Sequence, residues 1–154
     1  MKIKPKSQKG FTLIELAIAI VAGVVLILAA GVILFIGQIF WNQAWKKVNL
    51  QRDASYAMLR MSHSIKAGTA AEVLDDGKTV KIYRSGDYIR FFWVEGTNDL
   101  KSQIEGKPEI LINDKVEYVQ FNVVGNKITI DLELKEDDAQ THFVSTVMMR
   151  NYGG

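Results

Sequence analysis

From Leu16 to Trp45 the chain carries no charged side chain. Few features limit a fold more. A bilayer's hydrocarbon core, roughly 30 Å thick, is crossed by about 20 helical residues at about 1.5 Å each. The apolar stretch from Phe11 to Trp45 is 35 residues long and would span roughly 50 Å as a helix. It is long enough to cross a membrane and continue beyond it. The apolar core of a secretory signal peptide is only about 7–15 residues, so this segment is expected to stay in the mature protein as a single-pass membrane helix. Hydrophobic residues make up 48% of the 154-residue chain, and much of that share lies in this one run.

The flanks orient the run. Lys2, Lys4, Lys6 and Lys9 precede it, and removing residues 1–10 takes the formal side-chain charge from +2 to −2. The basic pI therefore reports a leader and says little about nucleic acid. Lysines before an apolar helix favour the cytoplasmic side, which puts the N-terminus inside and the C-terminal part outside the cytoplasmic membrane. Trp41 and Trp45 suit an interfacial aromatic belt or a packing role. Ala22, Gly23, Ala29, Ala30, Gly31 and Gly37 punctuate the run, and small residues let helix backbones approach closely.

Three zones follow: 1–10, a basic leader; 11–45, an apolar helix; and 46–154, a globular domain. The helical period continues past the apolar run, where Leu50, Ala54, Met58, Met61 and Ile65 share one face. A single helix is expected from about 12 to 67, its second half amphipathic, with Gly68 as its stop. Thereafter the period becomes two. Thr79–Arg84 and Tyr88–Val94 flank Ser85-Gly86-Asp87 as a hairpin. Lys115–Val124 and Lys127–Leu134 flank the two-residue turn Gly125-Asn126. Ile128, Ile130, Leu132 and Leu134 alternate with polar neighbours, giving one buried and one wet face. His142–Arg150 supplies a last strand and Ile110–Ile112 a short extra one. The expectation is an α+β fold: a long N-terminal helix, part transmembrane and part amphipathic, whose amphipathic half covers an antiparallel sheet.

The chain has no cysteine, which excludes disulfides, thiol catalysis and cysteine metal sites. No Ser-His-Asp or metal-ligand spacing links His63 and His142. Asp75-Asp76 and Glu136-Asp137-Asp138 lack the spaced oxygen ligands of a calcium loop and read as solvated turns. There is no Walker motif. No catalytic residue, metal or cofactor is expected, and the chain is not read as an enzyme. Tyr83, Tyr88, Phe91, Phe92 and Trp93, beside Lys81, Arg84 and Arg90, form an aromatic hairpin. It reads first as sheet packing and second as a surface for DNA or a partner. If Phe91 and Trp93 face the core, Phe92 is left outside as a candidate subunit contact.

The string Lys9-Gly10-Phe11-Thr12-Leu13-Ile14-Glu15-Leu16 carries the chemistry. Gly10, lacking a side chain, lets the backbone enter a narrow protease site in extended form. Glu15 is the only charge between Lys9 and Lys46. A carboxylate at a bilayer's centre costs about 2.5–3.5 kcal/mol on insertion scales, and less near the interface. A helix N-terminus near the headgroups also favours it.

Behind a basic leader and opening a long apolar helix, this string resembles the type IV prepilin signature. The resemblance in motif covers about residues 6–35. It implies a type IV pilin-like fold, cleavage after Gly10 by a prepilin peptidase, N-methylation of Phe11, and assembly with other pilin or pseudopilin subunits through the N-terminal helix. It also implies that Glu15 pairs with a neighbouring subunit's N-terminal amine and sets filament register. Val32 stands where many major pilins have a helix-unwinding proline, and their C-terminal cysteine pair is missing. Both departures point away from a major pilin of the Gram-negative kind. Residues 56–65 and the ending 143–151 are similar to J-type pseudopilins and W-type minor pilins. The reading is therefore a minor subunit of a type IV pilus or type II secretion pseudopilus. Such a subunit would sit first in the membrane and then in an extracytoplasmic filament whose assembly it helps start. A DNA-binding competence-type or adhesive pilin, and a plain membrane-anchored domain with a fortuitous motif, are the alternatives.

Overall fold

The computed structural model describes residues 12–104 and 106–150. Its chain divides into two compact units, Met1–Asn42 and Gln43–Gly154. Helix α1 (Leu13–Lys66) supplies all the secondary structure described in the first unit and the only α-helix described in the second.

Among the described residues of the first unit the helix has nothing to bury against. Its aliphatic side chains stand open, from Leu13 and Ile18 to Leu34. A helix apolar all round needs lipid or other helices as its surroundings, and α1 is long and apolar enough over this stretch to cross a membrane.

In the second unit α1 becomes one-sided. Leu50, Ala54, Ala57, Met61, Ser64 and Ile65 are buried, a 4-3-4-3-1 spacing that keeps one stripe inward. The expected stripe had Met58 in place of Ala57 and did not include Ser64. Met58 is only partly buried, at the margin of the core. The two alanines in mid-stripe add little bulk to a core cluster that also holds Phe91 and Phe121.

Eight strands follow, all pairing antiparallel. They are β1 (Ala70–Leu74), β2 (Thr79–Arg84), β3 (Asp87–Val94), β4 (Asp99–Ile104), β5 (Lys107–Ile112), β6 (Val116–Val124), β7 (Lys127–Glu136) and β8 (Ala139–Met148). The antiparallel α+β architecture is as expected, with the strands dividing into two sheets, β1-β2-β3-β4-β5 and β6-β7-β8. A 3-10 turn, Asp75–Gly77, joins β1 to β2. It touches the second sheet through Gln120 Nε2, which donates to the Asp76 carbonyl at 2.9 Å.

Both expected hairpins form. Gly86 and Gly125 adopt φ of 89° and 57° in their turns, a region open to glycine. The inward rows are as the alternation requires: Ile128, Ile130, Leu132 and Leu134 are fully buried, with Val80 opposite Phe91 and Ile82 opposite Ile89 in the first sheet. Strands β1 and β4 were not expected, and β5 extends back to Lys107. The last strand begins at Ala139, earlier than expected, and ends at Met148.

Gly68 closes α1 for a different reason than a left-handed cap. A Cβ there would lie 2.5 Å from Ile82 Cγ2 and 3.2 Å from the Ile65 carbonyl. The chain needs a missing side chain to pass β2, not a positive φ.

Candidate assembly site

Gly10 and Phe11, the expected cleavage and methylation residues, lie outside the described residues. The description begins one residue later, at the start of the helix. There Thr12 accepts the first helical bond on its carbonyl, from Leu16 N–H at 3.2 Å, so it is the N-cap. Its amide and its hydroxyl both donate to Glu15 Oε2, each at 2.8 Å. Glu15 N–H in turn donates to Thr12 Oγ1 at 3.3 Å. This is a reciprocal capping box, in which cap hydroxyl and third-residue carboxylate each satisfy a backbone donor of the opening turn. The site thus joins Glu15 to a residue with no separate role in the sequence reading. The signal that finds Thr12 is the Thr-x-x-Glu spacing ahead of an apolar run.

Glu15 also has a place on the helix surface. At about 100° per residue, Glu15, Ala19, Gly23, Ala30 and Gly37 fall within roughly 80° of arc. A Cβ added at Gly23, Gly31 or Gly37 would meet nothing within 4 Å, so these glycines serve no packing need inside their own unit. The carboxylate therefore heads a face on which Ala19, Gly23, Ala30 and Gly37 leave gaps between the larger Leu26, Ile33 and Trp41.

Several of the other groups singled out from sequence have local partners. His142 Nε2 lies 2.6 Å from Asp131 Oδ1 on the exposed side of the second sheet, and His63 is exposed on α1. Asp75 accepts from Thr79 Oγ1 at 2.7 Å. Lys46 pairs with Asp137 at 2.6 Å. The hydrogen bond and charge of that aspartate hold the lysine above its ordinary pKa. Lys115 bridges Asp53 and Glu136 at 3.1 Å each. Among the described residues no group of three or more His, Asp or Glu side chains could hold a metal.

On the hairpin, Phe91 is buried and Trp93 partly so. Phe92 does point the other way, but it is half-covered, with the Arg90 guanidinium 4.7 Å from its ring centroid. Tyr83 and Tyr88 are the exposed rings. Glu72 accepts from the Tyr83 hydroxyl at 2.8 Å, a bond that raises the phenol's pKa. Asp75 lies 3.8 Å from Arg90. Acidic neighbours thus offset part of the positive charge a nucleic acid would seek.

Residues 5–31 match the family model of the prokaryotic N-terminal methylation motif. The matched stretch takes in Gly10, Phe11, the capping box and the first part of the exposed apolar helix. It supports a type IV pilin- or pseudopilin-like protein, a structural subunit anchored in a membrane by its N-terminal helix. It implies processing by a prepilin peptidase and assembly with other pilins. No curated protein and no solved structure matches the chain.

Proposed function

We propose that the chain is a minor pilin or pseudopilin that helps start assembly of a type IV pilus or type II secretion pseudopilus. The observation that carries the reading is the methylation motif over residues 5–31 placed at the head of a helix whose apolar surface is wholly unsatisfied in its own unit. In this reading residues 1–10 are a leader, 11–45 the membrane and filament-core helix, and 46–154 the globular domain. The chain enters the cytoplasmic membrane with its leader inside. The peptidase cuts after Gly10 and methylates the amine of Phe11. The freed helix then exchanges lipid for neighbouring helices.

That exchange has a physical logic. Lipid tails are as apolar as leucine, so helix association rests on close packing and polar pairing. The small-residue stripe serves the first and Glu15 the second, with its carboxylate meeting the amine of a neighbour's Phe11. Val32, the lack of cysteines and the J-type and W-type likenesses of residues 56–65 and 143–151 favour a minor subunit.

The deciding experiment is intact-mass and N-terminal analysis after co-expression with a prepilin peptidase, beside a Gly10→Val variant. Loss of residues 1–10 and an N-methylated Phe11, both blocked by the variant, are the expected results. An uncut chain, with a known prepilin cut in parallel, returns the protein to a single-pass anchor.

A further inference from the structure

We infer that Thr12 is a positioning residue for Glu15, holding the carboxylate in the orientation from which it engages a neighbouring subunit; this rests on the filament reading above. Both Thr12 donors, the amide and the hydroxyl, converge on the same oxygen, Glu15 Oε2. Among the described residues no hydrogen bond reaches Oε1. One oxygen is thereby held by the chain's own first turn, which fixes the direction in which the carboxylate points.

Two consequences follow. First, a carboxylate with two short donors is partly compensated before any partner arrives, since hydrogen bonds to the charged form favour it. The unassembled subunit can then keep Glu15 in an apolar setting where an isolated charge is expensive. Second, a glutamate has three side-chain torsions to fix, and ordering such a side chain carries an entropic cost. Thr12 meets that cost within the monomer, so pairing with a neighbour does not bear it again. Cleavage after Gly10 leaves the Phe11–Thr12 peptide bond intact. The amide and hydroxyl of Thr12 are therefore present in both precursor and mature chain.

The test uses the full chain, co-expressed with a prepilin peptidase. It carries Ala30→Cys on the small-residue stripe as the only cysteine, since the chain has none of its own. Disulfide cross-linking in membranes, counted per processed chain by intact mass, reads helix–helix association. Thr12→Val, which keeps the shape and removes the hydroxyl, should lower apparent association about fivefold, the factor for one net hydrogen bond. Thr12→Ser should restore it. In a Glu15→Gln background Thr12→Val should have no further effect, because a positioning residue acts only through the group it positions. Unchanged cross-linking in Thr12→Val, or an equal loss in the Glu15→Gln background, overturns the inference and leaves the filament reading standing. Full cross-linking in Glu15→Gln alone overturns the pairing role of Glu15, and the inference with it.

Discussion

Ile27 and Ile130 are the same residue in opposite circumstances. Ile27, in the first unit, is 72% exposed, and Ile130, in β7, is 0% exposed. The contrast extends over whole segments. Residues 43–150 bury their apolar rows against each other and form a closed core of helix stripe and two sheets. Residues 13–42 are more apolar still and close against nothing of their own. Hydrophobic residues drive folding only when the chain can bring them together. One straight helix cannot do that for a surface that is apolar all round. The second unit is thus closed on itself as a folded body, whereas the apolar surface of the first calls for lipid or other helices around it.

The sharpest way to break this comparison is to make one substitution in both places. Ile130→Ala removes three carbon atoms from a fully buried site and should destabilise the second unit by about 2–5 kcal/mol. Ile27→Ala should leave the same thermal transition where it was. Circular dichroism melts of the full chain in detergent read both. A transition shifted equally by the two variants would mean that the units share one core.

Glycines draw the same line at a smaller scale. Gly77 has φ of 93°, and a Cβ there would lie 1.8 Å from Gln120 Nε2. That side chain would have to leave its bond to the Asp76 carbonyl. Gly77→Ala should therefore cost about 1–3 kcal/mol, as residues held in unsuitable backbone regions do, with the melt again as the measure. Gly31→Ala meets open space and should not move that melt.

Legibility in the sequence divides along the same boundary. The described part of the first unit, a long apolar helix, was readable because a charge-free run depends on no distant residue. The amphipathic stripe, the two hairpins and the Ile128–Leu134 alternation were readable because their period is local. Strand β1 was not: Ala70, Ala71 and Glu72 have weak strand preference, and they are extended because each pairs with a β2 residue. Strand β4 has Ser102 between Leu100 and Ile104 on one row and only polar residues on the other, too few apolar positions for an alternation to stand out. Asp99 is buried there because Thr97, the Asp114 amide and Lys101 satisfy it, and no spacing announces such a cluster. The division into two sheets is equally non-local. At the candidate site Glu15 stood out as a lone charge, and Thr12 did not, because its part is a pairwise geometry.

The subtlest separation between the two halves of α1 is electrostatic. In the first unit Glu15 is the only charged group described. In the second, Asp53 on the helix meets Lys115, which also holds Glu136 at the end of β7. Burial disfavours the Lys115 ammonium, but its hydrogen bonds and attraction to Asp53 and Glu136 outweigh that, and its pKa is raised. A lysine raised in the folded state contributes its full stability below its unfolded value of about 10.4 and loses it as the pH rises through the folded value. Partly exposed pairs of this kind contribute about 0.2–1 kcal/mol each. Lys115→Met should therefore lower the stability of the second unit by about 1 kcal/mol at neutral pH. Its gap from the parent chain should then shrink above about pH 10.4, as the parent's own lysine discharges. Urea unfolding of both proteins across the alkaline range measures that gap. A constant gap would mean that the lysine's partly covered stem stabilises the unit more than its charge does.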